Sequence, residues 1–137
     1  MTETTTMMNE QQKQELLAEF QQLVPKFKQL KKNLEHLDEK LQELKVTYAA
    51  LEELEKQPEE VPLYAPVAQG LFVKARLENA KRVLVNVGAN IAVEKSSAEA
   101  QTLIENQHTE LKEVRDAMVQ QIQQIQQRLE QIKQLVE

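Results

Sequence analysis

The chain has 137 residues, the length of one ordinary domain, with a net charge of -5 and no cysteine. Disulfides and thiolate chemistry are therefore excluded, and the acidic balance argues against a nucleic-acid or anionic-membrane surface, which shows a concentrated basic face. The first eight residues are polar, without the apolar core of a signal peptide, and no stretch approaches the ~20 apolar residues of a membrane span, so a cytoplasmic protein is expected.

Residues 1 to about 8 are expected to be a frayed lead-in. Asn9, with Gln12 three residues later, forms an N-cap pair able to satisfy free N–H groups in a first helical turn. From there Glu, Lys, Gln and Leu predominate, all good helix formers, and a coiled-coil helix is predicted over 9–57, ~70 Å long at ~1.5 Å per residue. Its stripe is Leu16, Phe20, Leu23, Phe27, Leu30, Leu34, Leu37, Leu41, Leu44, Tyr48 and Leu51. Steps of four and three residues alternate without a gap, which is the 3.5-residue period of a seam that meets a partner helix. Pro25 lies inside this rhythm. An interior proline removes a backbone hydrogen bond at a cost of ~3 kcal/mol, and because the stripe passes it in phase a kink is predicted there instead of a helix end.

Residues 58–96 read differently. Pro58, Pro62, Pro66, Gly70 and Gly88 fall here, and the period changes to two. Leu71, Val73, Ala75 and Leu77 alternate with Phe72, Lys74 and Arg76; Val83, Val85 and Val87 alternate with Leu84 and Asn86; Ile91 and Val93 follow. Two β-hairpins are predicted, with turns at Gln69-Gly70, Asn79 to Lys81, and Gly88-Ala89-Asn90. Isolated hairpins are marginal in water and their edges invite pairing with other chains; the competing arrangement is a small sheet folded back on its own helices.

Ser96 and Glu99 form a capping box for a second coiled-coil helix over 97–137. Ile104, Gln107, Leu111, Val114 and Met118 follow one phase, and an extra four-residue step to Ile122 is read as a stutter before Ile125, Leu129, Ile132 and Val136. The fold class is therefore α+β, a long antiparallel coiled-coil hairpin with two central β-hairpins, and both chain ends lie at its tip.

Leu16, Leu17, Phe20, Leu23, Val24 and Phe27 then face Ile125, Leu129, Ile132, Leu135 and Val136 at that tip. Two helices bury one seam, and Leu17, Val24 and Leu135 widen the stripe beyond it. Such a surplus either grips something apolar, or finishes the coiled coil or contacts a neighbouring subunit. His36 and His108 lie on different helices without a ligand cluster, whereas zinc needs three or four convergent donors. No nucleophile motif and no glycine-rich phosphate loop occurs, so no catalytic residue, metal or cofactor is expected.

The central wording resembles the α-class subunits of prefoldin. Pro66-Val-Ala-Gln-Gly-Leu-Phe-Val-Lys-Ala-Arg-Leu77, then Val83-Leu-Val-Asn-Val-Gly-Ala-Asn-Ile-Ala-Val-Glu-Lys95 and Ala98-Glu-Ala100, follow that family's two hairpins and acidic helix start. The wording lies between archaeal α and the eukaryotic subunits 3 and 5, leaning to subunit 5. It departs from the family at Gln69 and Leu71, where small residues are common, and at Asn90, where a second glycine is frequent. Asparagine tolerates the left-handed conformation, so the turn is expected to form.

The resemblance implies a hetero-hexamer of two α and four β-class subunits whose hairpins build an oligomeric β-barrel. Here Leu71, Val73, Val83, Val85, Val87, Ile91 and Val93 would form the subunit interface, with Gly70, Gly88 and Asn90 in the turns. It implies an ATP-independent holdase that binds unfolded proteins at the coiled-coil tips, through the eleven tip residues above. Clients would pass to a group II chaperonin, with actin and tubulin among them in a eukaryote. The alternative is a structural subunit of a prefoldin-like scaffold linked to transcription or complex assembly, without client holding.

Overall fold

The computed structural model describes residues 9–136; the expected lead-in over residues 1–8 lies outside the described residues. In chain order the elements are α1 (Glu10–Glu55), β1 (Val61–Ala68), β2 (Leu71–Leu77), β3 (Arg82–Gly88), β4 (Ile91–Ser96) and α2 (Ser97–Val136). Two long helices thus enclose two hairpins in sequence. The described residues up to Leu41 and from Leu111 form one compact unit, and Gln42–Glu110 form a second.

Helix α1 begins where the sequence places its cap. The Gln12 N–H donates to Asn9 Oδ1 at 2.7 Å, and the Asn9 N–H donates back to Gln12 Oε1 at 3.3 Å. The helix continues through Pro25, which is exposed to solvent. It ends at Glu55, two residues before the predicted boundary. Lys56 and Gln57 donate to the carbonyls of Glu53 and Leu54, the tighter i to i-3 pattern of a closing turn. Pro58 then disfavours the helical conformation at Gln57.

In the first unit the α1 and α2 segments run antiparallel. Arg128 grips both carboxylate oxygens of Glu19, at 2.8 Å each, and Arg115 pairs with Asp38. The guanidinium of Arg128 holds the Glu19 carboxyl below the usual carboxylate range, chiefly through that hydrogen bond. Leu41, Ile122, Ile125 and Ile132 are buried between these segments.

Burial along α2 corrects the stutter. Ile104, His108, Leu111, Arg115, Met118, Ile122, Ile125, Leu129, Ile132 and Val136 are all covered at least in part, while Gln107 and Val114 face solvent. Steps of four and three alternate throughout, so the 3.5-residue period is unbroken. The expectation followed apolar identity where the helix follows phase. Arg115 occupies its seam position with the ion pair to Asp38 in place of an apolar contact.

In the second unit the hairpins are two separate two-stranded antiparallel sheets, β1–β2 and β3–β4. Strand β1 contains Pro62 and Pro66 and pairs with β2 in unbroken register from Val61 to Pro66. The β3–β4 turn places Ala89 and Asn90 at φ of 51° and 61°, both in the left-handed region of a two-residue hairpin turn. Asparagine suits that conformation, whereas alanine is strained by ~1–2 kcal/mol. Replacing Ala89 with glycine is expected to stabilise this hairpin by about 1 kcal/mol, read as slower amide exchange in β3 and β4.

A small-residue junction fixes the second hairpin to the start of α2. Ala80, Ser97 and Ala100 are buried, and the Ser97 hydroxyl donates to the Ala80 carbonyl at 2.9 Å. The Ser97 N–H donates to the Lys81 carbonyl at 2.8 Å, and Asn79 Oδ1 accepts from the Lys81 N–H. The Glu99 N–H donates to Ser96 Oγ at 3.1 Å, half of the expected capping box. Ser97→Ala would leave the Ala80 carbonyl buried without this donor, and a loss of about 1–3 kcal/mol is expected in thermal melts.

Candidate functional site

The strand register decides what each sheet face presents, because directly opposed residues lie on one face. In the first hairpin Val61, Leu63 and Ala65 oppose Leu77, Ala75 and Val73, giving one wholly apolar face. Its other face pairs Pro62, Tyr64 and Pro66 with Arg76, Lys74 and Phe72. In the second hairpin Val85 opposes Val93 and Val83 opposes Lys95, with Ile91 next along the same face. Val87 stands at the bulge between Asn86 and Gly88.

These faces are open in the single chain. Leu71 is 57% exposed, Val73 47%, Ile91 57% and Val93 39%, with Val87 also exposed. Val83 and Val85 are half-buried. A small sheet folded onto its own helices would have covered them, so the sheets carry apolar surface that monomers rarely present. Sequence reading missed Leu63, Tyr64, Val67, Phe72 and Leu84, the last 73% exposed. The alternation draws attention to one face of each strand, while these belong to β1 or to the opposite faces. Gly70 and Gly88 have φ of 78° and 112°, and both sit at the hairpin turns.

In the first unit the eleven expected tip residues divide by burial. Ile125 and Ile132 lie in the helix seam, Ile132 with no exposure at all. Leu16, Phe20, Leu23, Val24, Phe27, Leu129 and Val136 are half-buried, and Leu17 and Leu135 are exposed. Lys31 places its ammonium 5.3 Å from the Phe27 ring centroid, a cation–π contact that leaves the ring partly open.

Neither histidine forms a centre for chemistry. His36 is exposed and lies 3.9 Å from Glu39. His108 lines a shallow depression with Tyr48, Ile104 and Glu105, in which the Glu105 carboxylate raises the Tyr48 phenol through hydrogen bonding and charge. Among the described residues no group of His, Cys, Asp or Glu is arranged to hold a metal ion, and no helix is long and apolar enough to cross a membrane.

The prefoldin subunit family model matches residues 23–137. The prefoldin subunit alpha of Methanothrix thermoacetophila is 26% identical over 104 residues, 76% of this chain and 68% of that protein. Those of Methanobrevibacter smithii and Methanopyrus kandleri are 35% and 36% identical over 69 residues, half of this chain and 47% and 42% of theirs. The match therefore spans about two thirds of the first relative and less than half of the others. Among solved structures, the filamentous PFD of Methanocaldococcus jannaschii, determined by cryo-EM, is similar with a TM-score of 0.72 and 25% identity. That likeness covers 82% of this chain and 93% of the other. With its hairpin wording, its paired helices and this match over most of its length, the chain belongs to the prefoldin family as an α-class subunit.

Proposed function

We propose that this chain is an ATP-independent holdase subunit, working in the cytoplasm within a hetero-hexamer of two α and four β-class chains. One observation carries the reading: the apolar faces of both hairpins are open to solvent in the isolated chain. Apolar sheet faces with unpaired edges are the surface that strands of sister subunits cover. The residues that would meet them are Leu71, Val73, Val83, Val85, Val87, Ile91 and Val93, with Gly70, Gly88 and Asn90 shaping the turns.

The chain ends supply the second function. Leu17 and Leu135 are exposed, and Phe20, three residues from Leu17 on α1, is half-buried; these are apolar surfaces suited to weak contact with an unfolded client. Several such patches on one assembly multiply weak contacts by effective concentration. Delivery of the held client to a group II chaperonin completes the reading.

The test is co-expression with the β-class prefoldin chain of the same organism. Native mass measurement is expected to give six subunits in the two-to-four ratio. The assembly is expected to suppress aggregation of a chemically denatured globular protein without added nucleotide. Assembly without suppression supports the scaffold alternative, and a lone monomer overturns the proposal.

A further inference from the structure

The two faces of the first hairpin have different fates once a barrel closes around them. Val61, Leu63, Ala65, Val73, Ala75 and Leu77 share the apolar face, and in the proposed barrel that face turns inward. Pro62, Tyr64, Pro66, Phe72, Lys74 and Arg76 share the reverse face, which turns outward however the strand edges are completed. All six are exposed in the single chain, Tyr64 at 64% and Phe72 at 58%. Closing the barrel covers none of them from the inside.

This outward face is unlike an ordinary solvated one. It holds two cations and no acid, in a chain whose net charge is -5. Among the described residues neither Lys74 nor Arg76 has an ion pair. The corresponding face of the second hairpin carries Arg82, Leu84, Asn86 and Glu94, and there Arg82 and Glu94 pair at 3.0 Å. Its charge is cancelled; that of the first hairpin is not. The aromatics are the second mark. Tyr64 lies directly opposite Lys74, and Phe72 opposite Pro66. Tyrosine, phenylalanine and arginine are enriched at protein interfaces, and proline loses no side-chain entropy when covered. A shallow depression follows Pro62, Tyr64, Lys74 and Arg76 across this face.

We propose that the outward face of the first hairpin is a docking site for an extended acidic peptide segment of another protein. Lys74 and Arg76 stand ~7 Å apart, two strand rises of ~3.4 Å, which is also the spacing of alternate side chains in any extended peptide. Two carboxylates at that spacing meet both cations. An apolar residue two positions further on reaches Phe72 and Pro66, next along the same face. Recognition runs through side chains on the outside of the sheet, so every strand edge stays available to sister subunits. The inference rests on the assembly reading, which fixes this face as the outer one.

The test uses the chain assembled with the β-class chain of the same organism and a dye-labelled peptide, Gly-Glu-Ser-Glu-Ser-Leu-Gly, followed by fluorescence anisotropy. Lys74→Ser/Arg76→Ser is expected to weaken peptide binding about tenfold or more while native mass measurement still finds the full assembly. Raising salt to about 1 M, where the Debye length is ~3 Å, is expected to weaken wild-type binding similarly. Tyr64→Ser/Phe72→Ser is expected to lower affinity several-fold and to leave the salt dependence intact. Equal binding of the peptide with glutamine in place of glutamate overturns the proposal, as does undiminished binding by Lys74→Ser/Arg76→Ser. Tighter binding of a single-stranded oligothymidylate than of the peptide overturns it in favour of a nucleic-acid surface. Loss of assembly in Lys74→Ser/Arg76→Ser places this face inside a subunit contact, which overturns the docking site and leaves the assembly reading standing. Failure of the wild-type chain to assemble overturns both.

Discussion

Ile132→Ala is expected to destabilise the paired helices by about 2–5 kcal/mol, whereas Leu135→Ser stays within about 0.5 kcal/mol of the parent. The two residues stand three apart on α2, yet Ile132 has no exposed surface and Leu135 is 41% exposed. The alternating period of α2 explains the difference. Ile132 follows Leu129 by three residues and takes the centre of the seam, while Leu135 falls one step outside it. Removing three carbons at Ile132 leaves a void that two helices cannot close without shifting. Thermal melts followed by circular dichroism read this directly.

The same pair separates client holding from seam packing. Leu17→Ser with Leu135→Ser removes exposed apolar surface only. It is expected to lower aggregation suppression several-fold with the melting temperature unchanged. Ile132→Ala is expected to lower suppression and melting together, because it disturbs the segment that displays the patch. Unchanged suppression in the exposed double variant would remove Leu17 and Leu135 from any client surface. An unchanged melting temperature for Ile132→Ala would contradict its place in the seam.

Much of this architecture is legible in the residues because long periods average over local exceptions. The α1 stripe runs through eleven positions, and one proline does not change its phase. The Asn9–Gln12 cap is legible because its two side chains lie at the one spacing that lets each reach the other's backbone. Where reading failed, it ranked residue identity above position. In α2 it chose Gln107 and Val114 over His108 and Arg115, although a seam position accepts a polar residue when a partner such as Asp38 lies opposite. For β1 it named no residues of a face, because Pro62, Tyr64 and Pro66 alternate with Leu63 and Ala65 without the apolar–polar contrast that marks the other strands. The Ala80–Ser97–Ala100 junction left no signal at all. Small residues pack closely only where the backbone brings them together, and that is decided by the turn at Asn79.

The surfaces follow the same logic. Alternation in β2, β3 and β4 identifies residues that share a face, but not whether the chain itself covers that face. Exposure supplies the missing fact, and it divides the tip residues into buried members of a seam and a smaller open patch. Residues of equal hydrophobicity, such as Ile132 and Leu135, therefore have different work to do.

Leu71→Asp combined with Val93→Asp is expected to leave the isolated chain folded and to reduce assembly roughly 100-fold or more. Both side chains are exposed in the single chain, at 57% and 39%, so each new carboxylate stays solvated there and its cost to folding is small. In the proposed barrel the same positions face apolar strands of sister subunits. Burying an ionised carboxylate without a partner costs several kcal/mol per group, more than a protonation shift within the neutral range recovers. The two sites lie on different hairpins, so each blocks a separate sheet and the losses reinforce one another. Sedimentation with the β-class chain reads assembly, and circular dichroism reads folding of the variant alone. Loss of helix and strand signal in the isolated variant would mean that these faces already pack within the chain, contrary to their exposure. Undiminished assembly would place the subunit contacts elsewhere and leave the apolar faces without the proposed role.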